Sequence, residues 1–128
     1  MERALEMLAG GRVAWGALAL AAPGLNVRLA GIGDRDGPEL RYMVRIFGSR
    51  AVALGLGYLL SDPRARRRWR RLCLMVDACD TAAGIAHVVR GDVPRRSAAA
   101  LAAITGGYAA VGVLALRAEG RPSRRPPS

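Results

Sequence analysis

The chain has 128 residues, 52% of them hydrophobic, and a formal charge of +10 in which every one of the 20 basic residues is arginine. That length allows one domain. Its apolar part, mostly Ala, Leu, Val and Gly with few aromatics, fills a water-soluble core poorly and suits close helix contact in lipid. The arginines sit between and beyond the apolar runs, without zinc-finger spacing, an aromatic RNA-binding strand or a helix-turn-helix pattern, so nucleic acid is excluded as the expected partner. The bilayer and its anionic headgroups take that place.

The first apolar segment runs from Leu8 to Ala22 and predicts a helix over about 8–24, ended by Pro23-Gly24. It spans a bilayer only if Arg12, near its start, reaches back to the surface. Leu25 to Leu40 reads as a loop rich in Gly and charge, and Pro38 suits the first turn of a following helix. The second segment, Tyr42 to Leu60, predicts a helix over about 39–60. Ser61-Asp62-Pro63 and then Arg64, Arg66, Arg67, Arg68, Arg70 and Arg71 follow as a basic loop, with Trp69 among them as an interfacial anchor. The third segment, Leu72 to Val89, gives a helix over 72–89. Arg90 to Arg96 is a tight connection, and Ser97 is a candidate N-cap for a fourth helix over 98–116. Residues 118–128 form a Pro-, Ser- and Arg-rich tail of disordered composition.

Together these make an all-α domain over 1–117, a four-helix transmembrane bundle. The basic loop between the second and third helices belongs on the cytoplasmic side by the positive-inside rule, which gives an N-in/C-in topology in a bacterial inner membrane. Cys73 and Cys79 stand about 240° apart on a helix and predict neither a disulfide nor a shared metal.

Arg45 and Arg50 lie inside the second segment, and Asp77 and Asp80 inside the third. Ionised groups at that depth need a partner or a polar cavity. In an antiparallel hairpin closed by a short turn, Arg50 comes level with Asp80 and Arg45 with His87, while Asp77 lies about one turn nearer the cytoplasm. Asp77, Asp80, Thr81, Gly84 and His87 share an arc of about 120°. The bland expectation is a structural ion pair of Arg50 with Asp77 or Asp80, with Thr81 and Ser49 filling spare hydrogen bonds. The sharper one is a proton or substrate path using His87 as an outer relay. Small residues supply a packing seam: Gly48 and Gly55 on the second helix, and Ala98, Ala102, Gly106 and Ala110 on the fourth. That seam serves the bundle interior or a homodimer face.

The run Arg45-Ile46-Phe47-Gly48-Ser49-Arg50, followed by Asp77-Ala78-Cys79-Asp80-Thr81, resembles a pattern in small actinobacterial-type integral membrane proteins loosely similar to the DoxX-like group. The resemblance implies a four-helix inner-membrane bundle and carries no substrate or reaction. The thiol-linked role associated with DoxX-like proteins has no C-x-x-C pair to support it here. No flavin or nicotinamide fingerprint is legible, and a single histidine cannot supply bis-histidine haem ligation. The expectation is therefore a non-enzymatic accessory or assembly protein without metal or cofactor, partnered by lipid and by another membrane protein or itself. A small proton-coupled permease is the alternative.

Overall fold

The computed structural model describes residues 1–120, which form helices joined by short connections, with no strand among them. In chain order the α-helices are α1 (Glu2–Ala21), α2 (Pro23–Leu29), α3 (Pro38–Leu59), α4 (Pro63–Arg90) and α5 (Arg95–Glu119), with a 3-10 turn at Gly33–Arg35. α1, α4 and α5 are each long and apolar enough to cross a membrane. α3 has the length, at 22 residues, but Arg45 and Arg50 interrupt its apolar run and it falls outside that set.

Several boundaries differ from those read along the sequence, each for a local reason. α1 begins at Glu2, before the apolar run, with an acid in its first turn where the helix dipole favours one. The expected loop over Leu25 to Leu40 contains α2 and the 3-10 turn, because Pro23 starts a new helix as readily as it stops the old one. The largest correction concerns the arginines. Arg64, Arg66, Arg67, Arg68, Arg70 and Arg71 are not a loop but the first two turns of α4. The Asp62 carboxylate accepts hydrogen bonds from the backbone N–H of Arg64 and Ala65, both at 2.9 Å, and Pro63 occupies the first helical position. The connection from α3 shrinks to Leu60–Asp62. α4 ends on Gly91, whose φ of +68° is the left-handed conformation that glycine adopts without a Cβ clash.

Ser97 does not cap α5. Its hydroxyl donates to the Gly31 carbonyl at 3.1 Å, and Pro94 stands at the cap position. α5 continues through Glu119, past the expected start of the tail, and Glu119 is held by Arg67 and Arg70 of α4. The rest of that tail, 121–128, lies outside the described residues.

The long helices run alternately up and down. Tyr58 of α3 and Arg66 of α4 both meet Glu2 of α1, and Arg70 of α4 meets Glu119 of α5, so these four termini share one end. At the other end Arg35 donates to the Asp92 carbonyl at 3.1 Å and Arg45 to that of Leu20 at 3.4 Å.

Packing is concentrated within two antiparallel pairs, α1 with α3 and α4 with α5, and is sparse between them. The α1–α3 crossing is a backbone contact. A Cβ placed on Gly48 would stand 2.7 Å from the Gly16 carbonyl oxygen, and one on Gly16 would stand 2.7 Å from that of Gly48. Gly55 rests equally close on the Ala9 carbonyl. Small residues therefore set this helix distance. On α5, Ala98 is buried, Ala102 faces Gly84 and Gly106 faces Thr81, whereas Ala110 is exposed. A four-residue step drifts by about 40° per repeat against a 3.6-residue turn, so the contact passes from that stripe to Gly112 and Ala115.

Leu5, Ala9, Tyr58 and Ala115 form a small core at the charged end, with Trp69 packed against it. Trp69 lies over Gly57, where a Cβ would meet its ring at 2.5 Å. Outside this core large apolar side chains remain exposed, among them Met7, Met75, Ile85, Ile104 and Leu114. Water is a poor solvent for such a surface and lipid a good one.

Candidate functional site

The depth of each charged side chain follows from helix register. Asp77 and Asp80 lie one turn apart on α4, Arg12 is on α1, and Arg50 is on α3. Arg50 Nη2 donates to Asp80 Oδ2 at 2.8 Å. Asp77 is not paired with Arg50. Its Oδ2 accepts from Nη2 of Arg12, the arginine that sequence reasoning sends to the membrane surface. The two pairs differ in burial: the Arg12 and Asp77 side chains are 13% and 4% exposed, those of Arg50 and Asp80 45% and 28%. Each guanidinium also lies over an aromatic ring, Arg12 over Tyr108 of α5 at 4.7 Å and Arg50 over Phe47 at 5.5 Å.

The other predicted residues are elsewhere or differently engaged. Thr81 Oγ1 donates to the Asp77 carbonyl at 2.6 Å and lies 2.9 Å from Thr105 Oγ1, which ties α4 to α5 and leaves both carboxylates alone. Ser49 donates to the Ile46 carbonyl of its own helix at 2.8 Å. Arg45 is exposed and reaches the end of α1, not His87. His87 Nδ1 lies 2.7 Å from Asp92 Oδ1 in the α4–α5 connection, and the imidazole holds that carboxyl below its ordinary value. His87 is therefore a connection residue with no contact to Asp77 or Asp80.

Beside the two ion pairs is a cavity of about 290 Å³ between α1, α3, α4 and α5. Arg12, Arg50, Asp77 and Asp80 line its polar side, and Trp15, Phe47 and Tyr108 give it aromatic walls. Leu54, Val76, Leu101 and Ile104 complete the apolar part. A second cavity of about 40 Å³ lies toward the Tyr58–Arg70 end. Arg12, Asp77 and Tyr108 line both, so this triad is the wall between them.

Chemically the site holds four charges that sum to zero. Cys73 and Cys79 are free thiols, one half-buried and one exposed. No group of three or more His, Cys, Asp or Glu that could hold a metal ion is present among the described residues.

Sequence reasoning missed Arg12 and Tyr108. The signal for Arg12 was its register. α1 and α4 run in the same direction from one end, where Glu2 meets Arg66, and the same offset of about 64 residues brings Arg12 to Asp77. No family model, no curated protein and no solved structure matches the chain.

Proposed function

We propose that the chain is a non-enzymatic accessory or assembly protein of a bacterial inner membrane, a four-helix transmembrane bundle with N-in/C-in topology whose Arg–Asp network locks two helix pairs together. One observation carries this reading. The α1–α3 pair and the α4–α5 pair approach each other closely at few points, and beyond the small apolar core at the charged end the links between them are polar: Arg12 with Asp77, Arg50 with Asp80, and Arg66 with Glu2 and Glu6. Lipid supplies no hydrophobic force between helices, so a desolvated ion pair is an effective device for fixing their register. In this reading α3 is the span that the network makes tolerable. Arg50 is neutralised by Asp80, and Arg45 lies near the outer surface at the end of α1.

The exposed arginines of the first turns of α4 lie at the end the reading assigns to the cytoplasm, where anionic headgroups would hold them. The exposed apolar faces would meet lipid and a second membrane protein or another copy of this chain.

The test is a double-mutant cycle on Arg12→Met and Asp77→Leu, read as thermal unfolding in detergent. Either substitution alone leaves a buried charge unpaired and should cost about 3–5 kcal/mol, while the double variant recovers most of that loss. Additive losses would refute the lock.

A second reading, the small proton-coupled permease, is favoured by the cavity that reaches both carboxylates. It requires a pH-dependent flux in proteoliposomes that Asp80→Asn abolishes in a folded protein. A parent chain without flux would dismiss it.

A further inference from the structure

The ion pairs explain how the two helix pairs hold together, but not why a chamber of about 290 Å³ persists beside them. A lock alone would work better with that space filled, since close-packed interiors leave few voids larger than a water molecule. The size is at the lower bound of small-molecule pockets and takes about a dozen heavy atoms at interior packing density.

The lining defines the chemistry of an occupant. Two arginines and two aspartates are already paired with each other, so an ion of either sign entering this apolar chamber meets as much repulsion as attraction and loses its hydration shell. The unspent groups are mainly donors. Arg12 and Arg50 each engage their aspartate through Nη2 alone, and the side chains of Trp15 and Tyr108 make no hydrogen bond among the described residues. The rim is formed by Leu101 and Ile104, which are exposed on the apolar outer surface of α5.

We propose that the central cavity binds a small uncharged amphiphile that enters from the bilayer, presents a carbonyl-type acceptor oxygen to Tyr108, Trp15 and the arginines, and rests its apolar body against Phe47, Leu54 and Val76. The proposal goes beyond the structural lock and leaves it standing, because the pairs stay intact with the cavity filled.

Three probes of nearly equal shape separate the possibilities: 4-butylacetophenone, its hydrocarbon counterpart 1-butyl-4-isopropylbenzene, and 4-butylbenzoate. Each is titrated against the full chain in lipid nanodiscs by ligand-observed NMR, with empty nanodiscs subtracting the partitioned fraction. The ketone should bind roughly tenfold more tightly than either of the others, the effect of one well-made hydrogen bond. Ile104→Trp, a change at an exposed rim position that fills the mouth, should remove ketone binding. If that variant fails to fold, Leu101→Trp makes the same test. Trp15→Phe with Tyr108→Phe should bring the ketone down to the level of the hydrocarbon. Equal binding of ketone and hydrocarbon would reduce the chamber to one that an acyl chain fills and would overturn the proposal. Tightest binding by the carboxylate would overturn it as well, as would ketone binding that both rim variants leave unchanged.

Discussion

Asp77 and Asp80 are one turn apart and chemically identical, yet their surroundings assign them different weights. Asp77 and Arg12 are nearly removed from solvent, so replacing Asp77 by Asn strands a guanidinium in a place where nothing else solvates it. Asp80 and Arg50 are less enclosed by protein and line the cavity, so an unpaired Arg50 keeps room to turn its guanidinium along the helix. Asp77→Asn should therefore lower the unfolding midpoint several-fold more than Asp80→Asn when both are compared by thermal unfolding in one detergent. Equal shifts would show that Arg50 is held as tightly as Arg12. Glycine makes a parallel contrast. Gly48→Ala drives a methyl into the Gly16 carbonyl oxygen, a backbone atom that cannot swing aside, and should destabilise by about 1–3 kcal/mol. At Gly107 a Cβ meets nothing within 4 Å, and the same substitution should stabilise by about 0.5–1 kcal/mol through the helix entropy alone. Both differences are readable in the same unfolding assay.

At the scale of elements, the sequence was most informative where two helices are joined by a short turn. Taking Ser61 and Arg71 as the ends of the turn puts Arg50 level with Asp80; in the structure the turn is only Leu60–Asp62 and Trp69 faces Gly57, which puts Arg50 level with Val76, about one turn from Asp80, a gap that the long arginine side chain covers. Arg12 and Asp77 are 65 positions apart in the chain with two other helices between, and no local rule relates them. The α4 start was missed because apolar periodicity begins only at Leu72, although Asp62-Pro63 is a legible helix start and arginine a good helix former. Asp62→Ala removes the acceptor for two backbone N–H groups and should cost about 1 kcal/mol, with hydrogen exchange rising at Arg64 and Ala65 first. The α2–α3 connection carries a pH dependence of its own. Arg41 grips Asp36 through Nε at 2.8 Å and Nη2 at 2.7 Å and holds that carboxyl below its ordinary value of 3.8. A depressed carboxyl contributes its stability above the unfolded value and loses it as pH falls through the folded one. Amide exchange in the 3-10 turn should therefore quicken only below about pH 4, and Asp36→Asn should remove that acid step.

At the scale of the whole molecule, orientation in the membrane depends on which end carries more arginine near the apolar spans. One end groups Arg3, Arg64, Arg66, Arg67, Arg68, Arg70, Arg71 and Arg117; the other groups Arg28, Arg35, Arg41, Arg90, Arg95 and Arg96. Folding the basic run into α4 divides it: Arg66, Arg67 and Arg70 form ion pairs with Glu2, Glu6 and Glu119. Arg64, Arg67, Arg68 and Arg71 stay exposed within two turns of the helix start. In the N-in/C-in reading those four would meet the cytoplasmic headgroups, Arg67 while also reaching Glu119, and the positive-inside rule counts basic residues close to the spans whatever the net charge. A phosphatase reporter inserted after Asp92 should be active, as an extracytoplasmic site requires, and one after Ser61 should be silent. Arg121, Arg124 and Arg125 follow Arg117 closely in the chain, so replacing Arg64, Arg67, Arg68 and Arg71 together with Gln leaves seven arginines against six and should give both insertions partial activity, as a mixed population does. The same four changes made at Arg28, Arg35, Arg90 and Arg96 should leave the pattern of the parent untouched. An active reporter after Ser61 in the parent chain would reverse the orientation, while the Arg12–Asp77 wall, halfway along α1 and α4, would keep its depth.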